Sequence, residues 1–402
     1  MSFPPNAHCP GERHYGLDWL RIGAFLTLIF YHIGNYFAPG SWVVKAPQTI
    51  DAVGWAMAAV QPWRMPLLFA VSGFASYALL RKSLGIGEFT LARTYRLAPP
   101  LLFGMAALVP PQAWIALVEG ADYQHSFLHF WTFDWFSFHN RSGVALPNEG
   151  HLWFIAYLWT YTMLLAAALA LAPVRWHDRA AAMVEAMSRG SRLLWVPLLP
   201  IVVSRLAVVF TIPETHGFIH DWVSDVLYVP AFLFGFALAA TPSLWPAVLR
   251  ARQAALMMAI ASGGAVIAIE IWYPGDPSHL IAAVEREAQV IMAWNMILLL
   301  MGAAHQWLNR DHPLRRTLTE AIFPFYLVHQ TVIVVVGWWI QDAAYGAATM
   351  FLILAASTIA SCWVFYEIAR RSGPLRPLFG LSRPKRHPET HAAGVRVGHA
   401  QS

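Results

Sequence analysis

Apolar stretches long enough to cross a bilayer recur through almost the whole chain, and that recurrence leaves few folds open. A helix rising about 1.5 Å per residue needs about 20 mostly apolar residues to span the hydrocarbon core. Such windows fall at roughly 17–38, 55–80, 95–118, 150–172, 193–212, 223–241, 253–273, 288–308, 318–340 and 347–370. Backbone groups in lipid must be satisfied within the segment, so windows of this kind form helices. Charge agrees: only 12% of the 402 residues are Asp, Glu, Lys or Arg, against roughly 25% in soluble domains. A soluble fold, a disordered or collagen-like chain and a nucleic-acid-binding scaffold are excluded. The expected fold class is an all-α, polytopic integral membrane protein with the lipid bilayer as its solvent and about ten transmembrane helices.

Basic residues orient these spans, because loops on the cytoplasmic side are enriched in Lys and Arg. With the N-terminus cytoplasmic, 21 of the 27 basic residues fall on the cytoplasmic side, only Lys45, Arg141 and Arg286 on the outer side, and only Arg21, Arg64 and Arg205 within spans. The rest gather around Arg81/Lys82, Arg175–Arg192, Arg250/Arg252, Arg310–Arg316 and the tail from Arg370 to Arg396. A miscounted span would invert every later loop and erase this asymmetry, so both termini are expected in the cytoplasm. The expected organisation is a cytoplasmic segment at 1–16, a ten-helix domain at 17–372 and a basic tail at 373–402, disordered or lying on the anionic inner leaflet. The first 16 residues lack an apolar core, so no cleaved signal peptide is expected. Cys9 and Cys362 form neither a metal-type pair nor an expected disulfide. Pro62 and Pro66 predict a tilt or kink early in the second span, and Pro99-Pro100 interrupts the third. The outer loops are acidic (Glu119, Asp122, Asp134, Glu149, Glu214, Asp221, Asp276), and the longest carries Tyr123, His125, His129, Trp131, Trp135 and His139. Aromatic faces of this kind suit sugar rings and equally suit a membrane interface.

Ionisable side chains at membrane depth are costly, so each is a candidate for function. In LDWLRIGAFLTLIFYH, Asp18 and Arg21 are three residues apart and can pair on one helix face. His32 follows Arg21 by three turns, which places the two about 16 Å apart in depth. Arg64 opens RMPLLFAVSGF with no neutralising neighbour in sequence, and the small residues Ser72, Gly73, Ala75 and Ser76 predict close helix packing. Arg93 and Arg96 share a face at the cytoplasmic surface, where planar guanidinium groups suit phosphate. Glu149 and His151 open the fourth span, Arg205 lies within the fifth, His329 is mid-span in FPFYLVHQ, and Glu367 ends the tenth. Depth sorts them into a cytoplasmic group (Asp18, Arg21, Arg93, Arg96, Glu367) and a middle or outer group (His32, Arg64, Glu149, His151, His329). A charged donor site below an acid–base site is what group transfer across a membrane requires.

In this order, LDWLR with His32, RMPLLFAVSGF, the Arg93 and Arg96 pair, HLWF, FPFYLVHQ and the closing FYE resemble the acyltransferase-3 superfamily of ten-helix membrane acyltransferases, over about residues 15–380. Within it, RMPLLFAVSGFASYALLRK, RTYRLAPPLLFG, HLWFIAYL and LRPLFGL look most like a branch implicated in succinylating osmoregulated periplasmic glucans. The resemblance implies an O-acyltransferase of the bacterial inner membrane that moves an acyl group, succinyl favoured, from cytoplasmic acyl-CoA to a hydroxyl of a periplasmic glycan. His32 takes the place of the family's essential histidine, and Arg93 and Arg96, with Arg21, take the acyl-CoA donor. Arg64, Glu149 and His151 would join His32 in catalysis, with Asp18, Arg205, His329 and Glu367 in supporting positions. Succinyl-CoA or acetyl-CoA is then a donor substrate, with no tightly bound cofactor, no metal and no nucleic-acid partner, and a homo-oligomer is compatible with it. A base role and an acyl-histidine role for His32 both remain open at this point. So do acetyl transfer to another extracytoplasmic glycan or glycolipid, and transport without bond formation.

Overall fold

The computed structural model describes residues 14–209, 222–275 and 277–382. Glu214, Asp221, Asp276, residues 1–13 and the tail from 383 onward therefore lie outside the described residues. The described chain is an all-α membrane protein. Its principal helices are α1 (Tyr15–Phe37), α2 (Asp51–Ala58), α3 (Gln61–Leu80), α4 (Ile86–Phe103), α5 (Pro110–Ala121), α6 (Trp153–Leu171) and α7 (Val174–Met187). They continue with α8 (Leu198–Val209), α9 (Trp222–Ala240), α10 (Leu244–Trp272), α11 (His279–Trp307), α12 (Pro313–Ile340) and α13 (Ala347–Arg371). Two-residue strands, Asn140–Arg141 and Val144–Ala145, pair antiparallel in the long loop before α6.

Eight helices among the described residues are long and apolar enough to cross a membrane, and up to nine if a bent pair is counted as one span. The sequence expects ten. Helix α1 has the length, 23 residues, but Asp18, Arg21, His32 and Asn35 lower its hydropathy below that of the others. The window 193–212 runs into residues 210–221, outside the described chain. Helix α7, with Arg175, Arg179 and an exposed Trp176, meets the segment Arg192–Ala207 at 113°. The break between α2 and α3 falls where Pro62 fills the first turn of α3, a position that needs no backbone N–H.

The α4–α5 span, Ile86–Ala121, is interrupted midway, and side chains there supply hydrogen bonds that its backbone cannot. A π-helical turn, Gly104–Leu108, precedes Pro110. Val109 N–H donates to Gly104 O rather than Met105 O, and Pro110 has no N–H for Ala106 O. Two of the freed carbonyls receive indole N–H groups, Trp135 Nε1 on Met105 O at 3.0 Å and Trp131 Nε1 on Ala106 O at 2.8 Å. Trp135 is wholly buried. These two loop tryptophans thus complete a helix, a role that neither the sugar-stacking nor the interfacial expectation contains.

Small residues set the closest approach in the bundle. A Cβ on Gly73 of α3 would lie 1.9 Å from Phe232 O of α9, and one on Gly235 of α9 would lie 1.8 Å from Ala70 O of α3. The two backbones are therefore in reciprocal contact, as GxxxG-type packing in lipid allows. Gly235→Val is expected to force the helices apart at a cost of about 1–3 kcal/mol. The check is a fall in the melting temperature of the detergent-solubilised protein. An unchanged midpoint would show that the crossing is not close-packed.

Candidate active site

A cavity of about 400 Å³ opens where α1, α3, α6, α8, α9, α11 and α12 converge. Its wall includes His32 and Asn35 of α1, Gln61 and Arg64 of α3, Arg205 of α8, Gln289 of α11 and Tyr326 and Gln330 of α12, with Trp42 and Trp153 adding aromatic faces. Among the described lining residues the formal charges are Arg64 and Arg205, with no carboxylate. The Arg64 guanidinium carbon lies 3.4 Å from the Tyr31 ring centroid, a cation–π contact. Its Nε is buried and has no hydrogen-bond partner among the described residues. Arg205 is within electrostatic range of Glu287.

Hydrogen bonding assigns the histidine tautomers. His329 Nδ1 lies 2.7 Å from Tyr326 O and 3.2 Å from Phe325 O. Carbonyl oxygens only accept, so Nδ1 carries the proton and neutral His329 presents Nε2 as an acceptor. His32 Nδ1 is 2.8 Å from that Nε2, so His32 donates from Nδ1. The Nε2 of His32 is left with its lone pair on the cavity wall. The two rings are parallel within 12°, with centroids 5.0 Å apart.

The third histidine is tied down differently. His151 Nε2 is 3.0 Å from Leu327 O and donates to it, and Nδ1 accepts from Gln112 Nε2 at 3.2 Å. Gln112 Nε2 also donates to Thr331 Oγ1 at 2.8 Å, Gln330 Nε2 donates to Gln112 Oε1 at 3.1 Å, and Tyr326 OH donates to His151 O at 2.5 Å. Thr331 Oγ1 donates in turn to Leu108 O at 2.6 Å, beside the π-turn. Both ring nitrogens of His151 are thus engaged, and this network fastens α5, α12 and the turn before α6 around the His32–His329 pair. Glu149 precedes that turn, its backbone O accepting from Leu152 N–H at 2.9 Å, and does not line the cavity, although Gly150 and His151 do.

The remaining sequence candidates separate as depth suggests. Arg93 is buried and donates from Nη2 to Ser72 O at 3.3 Å and to Ser76 Oγ, while Arg96 on the same helix is exposed. Arg21 comes within electrostatic range of both, so three guanidinium groups gather near the N-terminal end of α1, away from His32. Asp18 is ion-paired with Arg315 of α12, a partner in addition to the Arg21 contact expected from spacing. Glu367 pairs within its own helix, with Arg370 at 2.9 Å and Arg371 at 3.1 Å. Sequence reasoning did not single out Tyr326, Gln112, Thr331 or Arg315. Gln112 had one available signal, a long polar side chain directly after Pro110-Pro111 in an apolar run.

A bundle of apolar helices enclosing a polar histidine cavity, with arginines gathered at its far end, defines a polytopic membrane enzyme. The profile of a family described as an acyltransferase domain (acyltransferase-3) matches residues 14–367, and the chain belongs to that family of membrane acyltransferases. Among curated relatives, the glucans biosynthesis protein C of Salmonella gallinarum is 23% identical over 395 residues, covering 96% of this chain and 99% of the relative. The proteins of the same name from Salmonella typhi, 23% identical, and Salmonella dublin, 22% identical, each align over 398 residues with the same coverage. No solved structure matches the chain.

Proposed function

We propose that this acyltransferase moves an acyl group, succinyl in the first instance, from acyl-CoA to a hydroxyl of a periplasmic glucan, with His32 as general base. The observation that carries the reading is the hydrogen-bonded order Tyr326 O, His329, His32, which leaves the His32 Nε2 lone pair on the wall of a polar cavity. In this mechanism the sugar hydroxyl oxygen attacks the thioester carbonyl carbon while its proton passes to His32 Nε2. The tetrahedral intermediate collapses, the C–S bond breaks, and the departing CoA sulfur takes that proton back. The ester and free CoA thiol are the products, and His32 is neutral again.

Charge placement favours this route over an acyl-histidine. General-base transfer creates the imidazolium together with an oxyanion, and both charges vanish on collapse. An acyl-imidazolium would outlast the leaving group beside Arg64, with its Nδ1 proton still held by His329. The donor's nucleotide end fits the Arg21, Arg93 and Arg96 cluster, because guanidinium groups suit phosphates. Its pantetheine arm would extend about 16 Å along α1, the axial rise from Arg21 to His32. With the N-terminus in the cytoplasm of a bacterial inner membrane and ten spans, that cluster faces the cytoplasmic acyl-CoA pool and the cavity faces the periplasm. Trp42 and Trp153 offer faces to a sugar ring, and Asn35, Gln61, Gln289 and Gln330 offer amides to its hydroxyls. Arg64, with its buried unsatisfied Nε, is the cation for the distal carboxylate of a succinyl group. The name carried by the relatives, glucans biosynthesis protein C, supports a glucan acceptor.

Purified protein given succinyl-CoA and glucan should release CoA thiol in step with ester formation. His32→Ala should fold, still bind CoA, and turn over about 10²- to 10⁴-fold more slowly. Near-normal turnover in that variant would remove His32 from the chemistry, and glucan movement across vesicles without thiol release would identify a transporter. Arg64→Gln should lower succinyl transfer at least about tenfold more than acetyl transfer, the weight of one charged hydrogen bond. Equal loss with both donors would assign Arg64 to the tetrahedral oxyanion instead.

A further inference from the structure

Outside the cavity, at the N-terminal ends of α1 and α12, an ion-pair cluster built on one buried arginine lies in step with the histidines. Arg315 is wholly buried. Its Nε donates to Asp311 Oδ1 at 2.9 Å, its Nη2 lies 2.8 Å from the same oxygen, and its Nη1 donates to Asp18 Oδ2 across the helix boundary. The Tyr15 ring covers its guanidinium at 4.6 Å. So enclosed, Arg315 is not offered to a soluble donor as Arg96 is.

The sequence separation from Asp18 to Arg315 is 297, and that from His32 to His329 is also 297. An equal offset at both contacts means that α1 and α12 run parallel, side by side, in one register. From residue 18 to 32, and from 315 to 329, is close to four turns, or about 21 Å, so both pairs fall on the same facing stripe. Between them the contact is aromatic, with the Phe25 and Tyr326 rings 5.4 Å apart. Dispersion contacts are weak and non-directional, and lipid supplies no hydrophobic drive to favour one axial alignment. Register therefore falls to directional groups, which beyond the histidines also include Tyr36 OH, donating to Gly337 O at 3.3 Å. A slip of one residue would move His32 by about 1.5 Å and turn it by about 100°, enough to break its bond to His329.

We propose that Arg315 is a positioning residue for the transfer: its ion pair with Asp18 sets the register of α1 against α12 and so holds His32 Nδ1 on His329 Nε2. Buried ion pairs are best attested in this registry role. The consequence for rate rests on the reading of His32 as the base, whereas the consequence for alignment does not. The test compares wild type, Arg315→Gln, Asp18→Asn and the double variant, with kinetics and ¹⁵N NMR of the His32 ring in histidine-labelled full-length protein. Either single change should move the His32 signal away from a hydrogen-bonded Nδ1–H tautomer. It should lower kcat between about 10- and 100-fold while KM for acyl-CoA stays within about twofold. The double variant should be no worse than the singles, since both remove one contact. Arg315→Lys, which keeps a charge for Asp18, should recover most of both signals and stands in if Arg315→Gln does not fold. An unchanged His32 signal in folded Arg315→Gln and Asp18→Asn overturns the proposal. A moved signal with an unchanged rate upholds the register and overturns the general-base reading. If wild type shows no transfer, the NMR signal alone decides the alignment.

Discussion

One ring N–H that only backbone carbonyls can accept sets the direction of the whole site. Because His329 Nδ1 must donate to Tyr326 O and Phe325 O, its other nitrogen accepts and His32 must donate in turn. The lone pair the cavity needs is thus fixed by helix backbone two steps away, with no carboxylate in the relay. Low dielectric strengthens each link, and each polarises the next. The same environment penalises an unsatisfied partner, and the polar groups around His151 share their donors and acceptors closely. Gln112 alone serves His151, Thr331 and Gln330.

The rest of the bundle serves that alignment by two kinds of contact. Close backbone approach through Gly73 and Gly235 locks α3 to α9 and brings Arg64, near the start of α3, to the cavity. Polar contacts at three levels, Asp18 with Arg315, His32 with His329 and Tyr36 OH with Gly337 O, then align α1 with α12, where apolar packing alone would leave sliding cheap. A helix with a π-turn and two adjacent prolines is tolerated because indole N–H groups complete it. That irregular turn leaves Leu108 O to accept from Thr331, so an irregularity in one span becomes a support for the histidine network.

Much of this was legible in the sequence, and the reasons for the remainder are physical. Span windows were readable because 20 apolar residues mean the same thing in any membrane protein. The polar residues of α1 were readable as candidates for the reason that keeps α1 out of the most hydropathic helices. Of the middle or outer group, His32, Arg64 and His151 share one cavity, His329 bonds to His32 behind its wall and Glu149 stands beside it. Arg205, assigned to neither depth group, joins the cavity. Contacts between distant helices were not readable. The Asp18–Arg315 pair spans 297 positions, and in sequence Arg315 is one more basic residue at an expected cytoplasmic end. The use of Trp131 and Trp135 as caps was hidden because a loop indole looks the same whether it faces lipid, sugar or an orphan carbonyl. Tautomers were hidden too, since they follow from acceptor geometry that composition does not carry.

The central claim, that His32 removes a proton and is never itself acylated, is most directly met by a rapid-mix experiment. Enzyme is mixed with succinyl-CoA in the absence and presence of glucan, and CoA thiol is followed through the first turnover. General-base transfer predicts no thiol release until the acceptor is present, because the attacking atom belongs to the sugar. A burst of thiol stoichiometric with enzyme in the absence of glucan, with the acyl group recovered on His32, would contradict it.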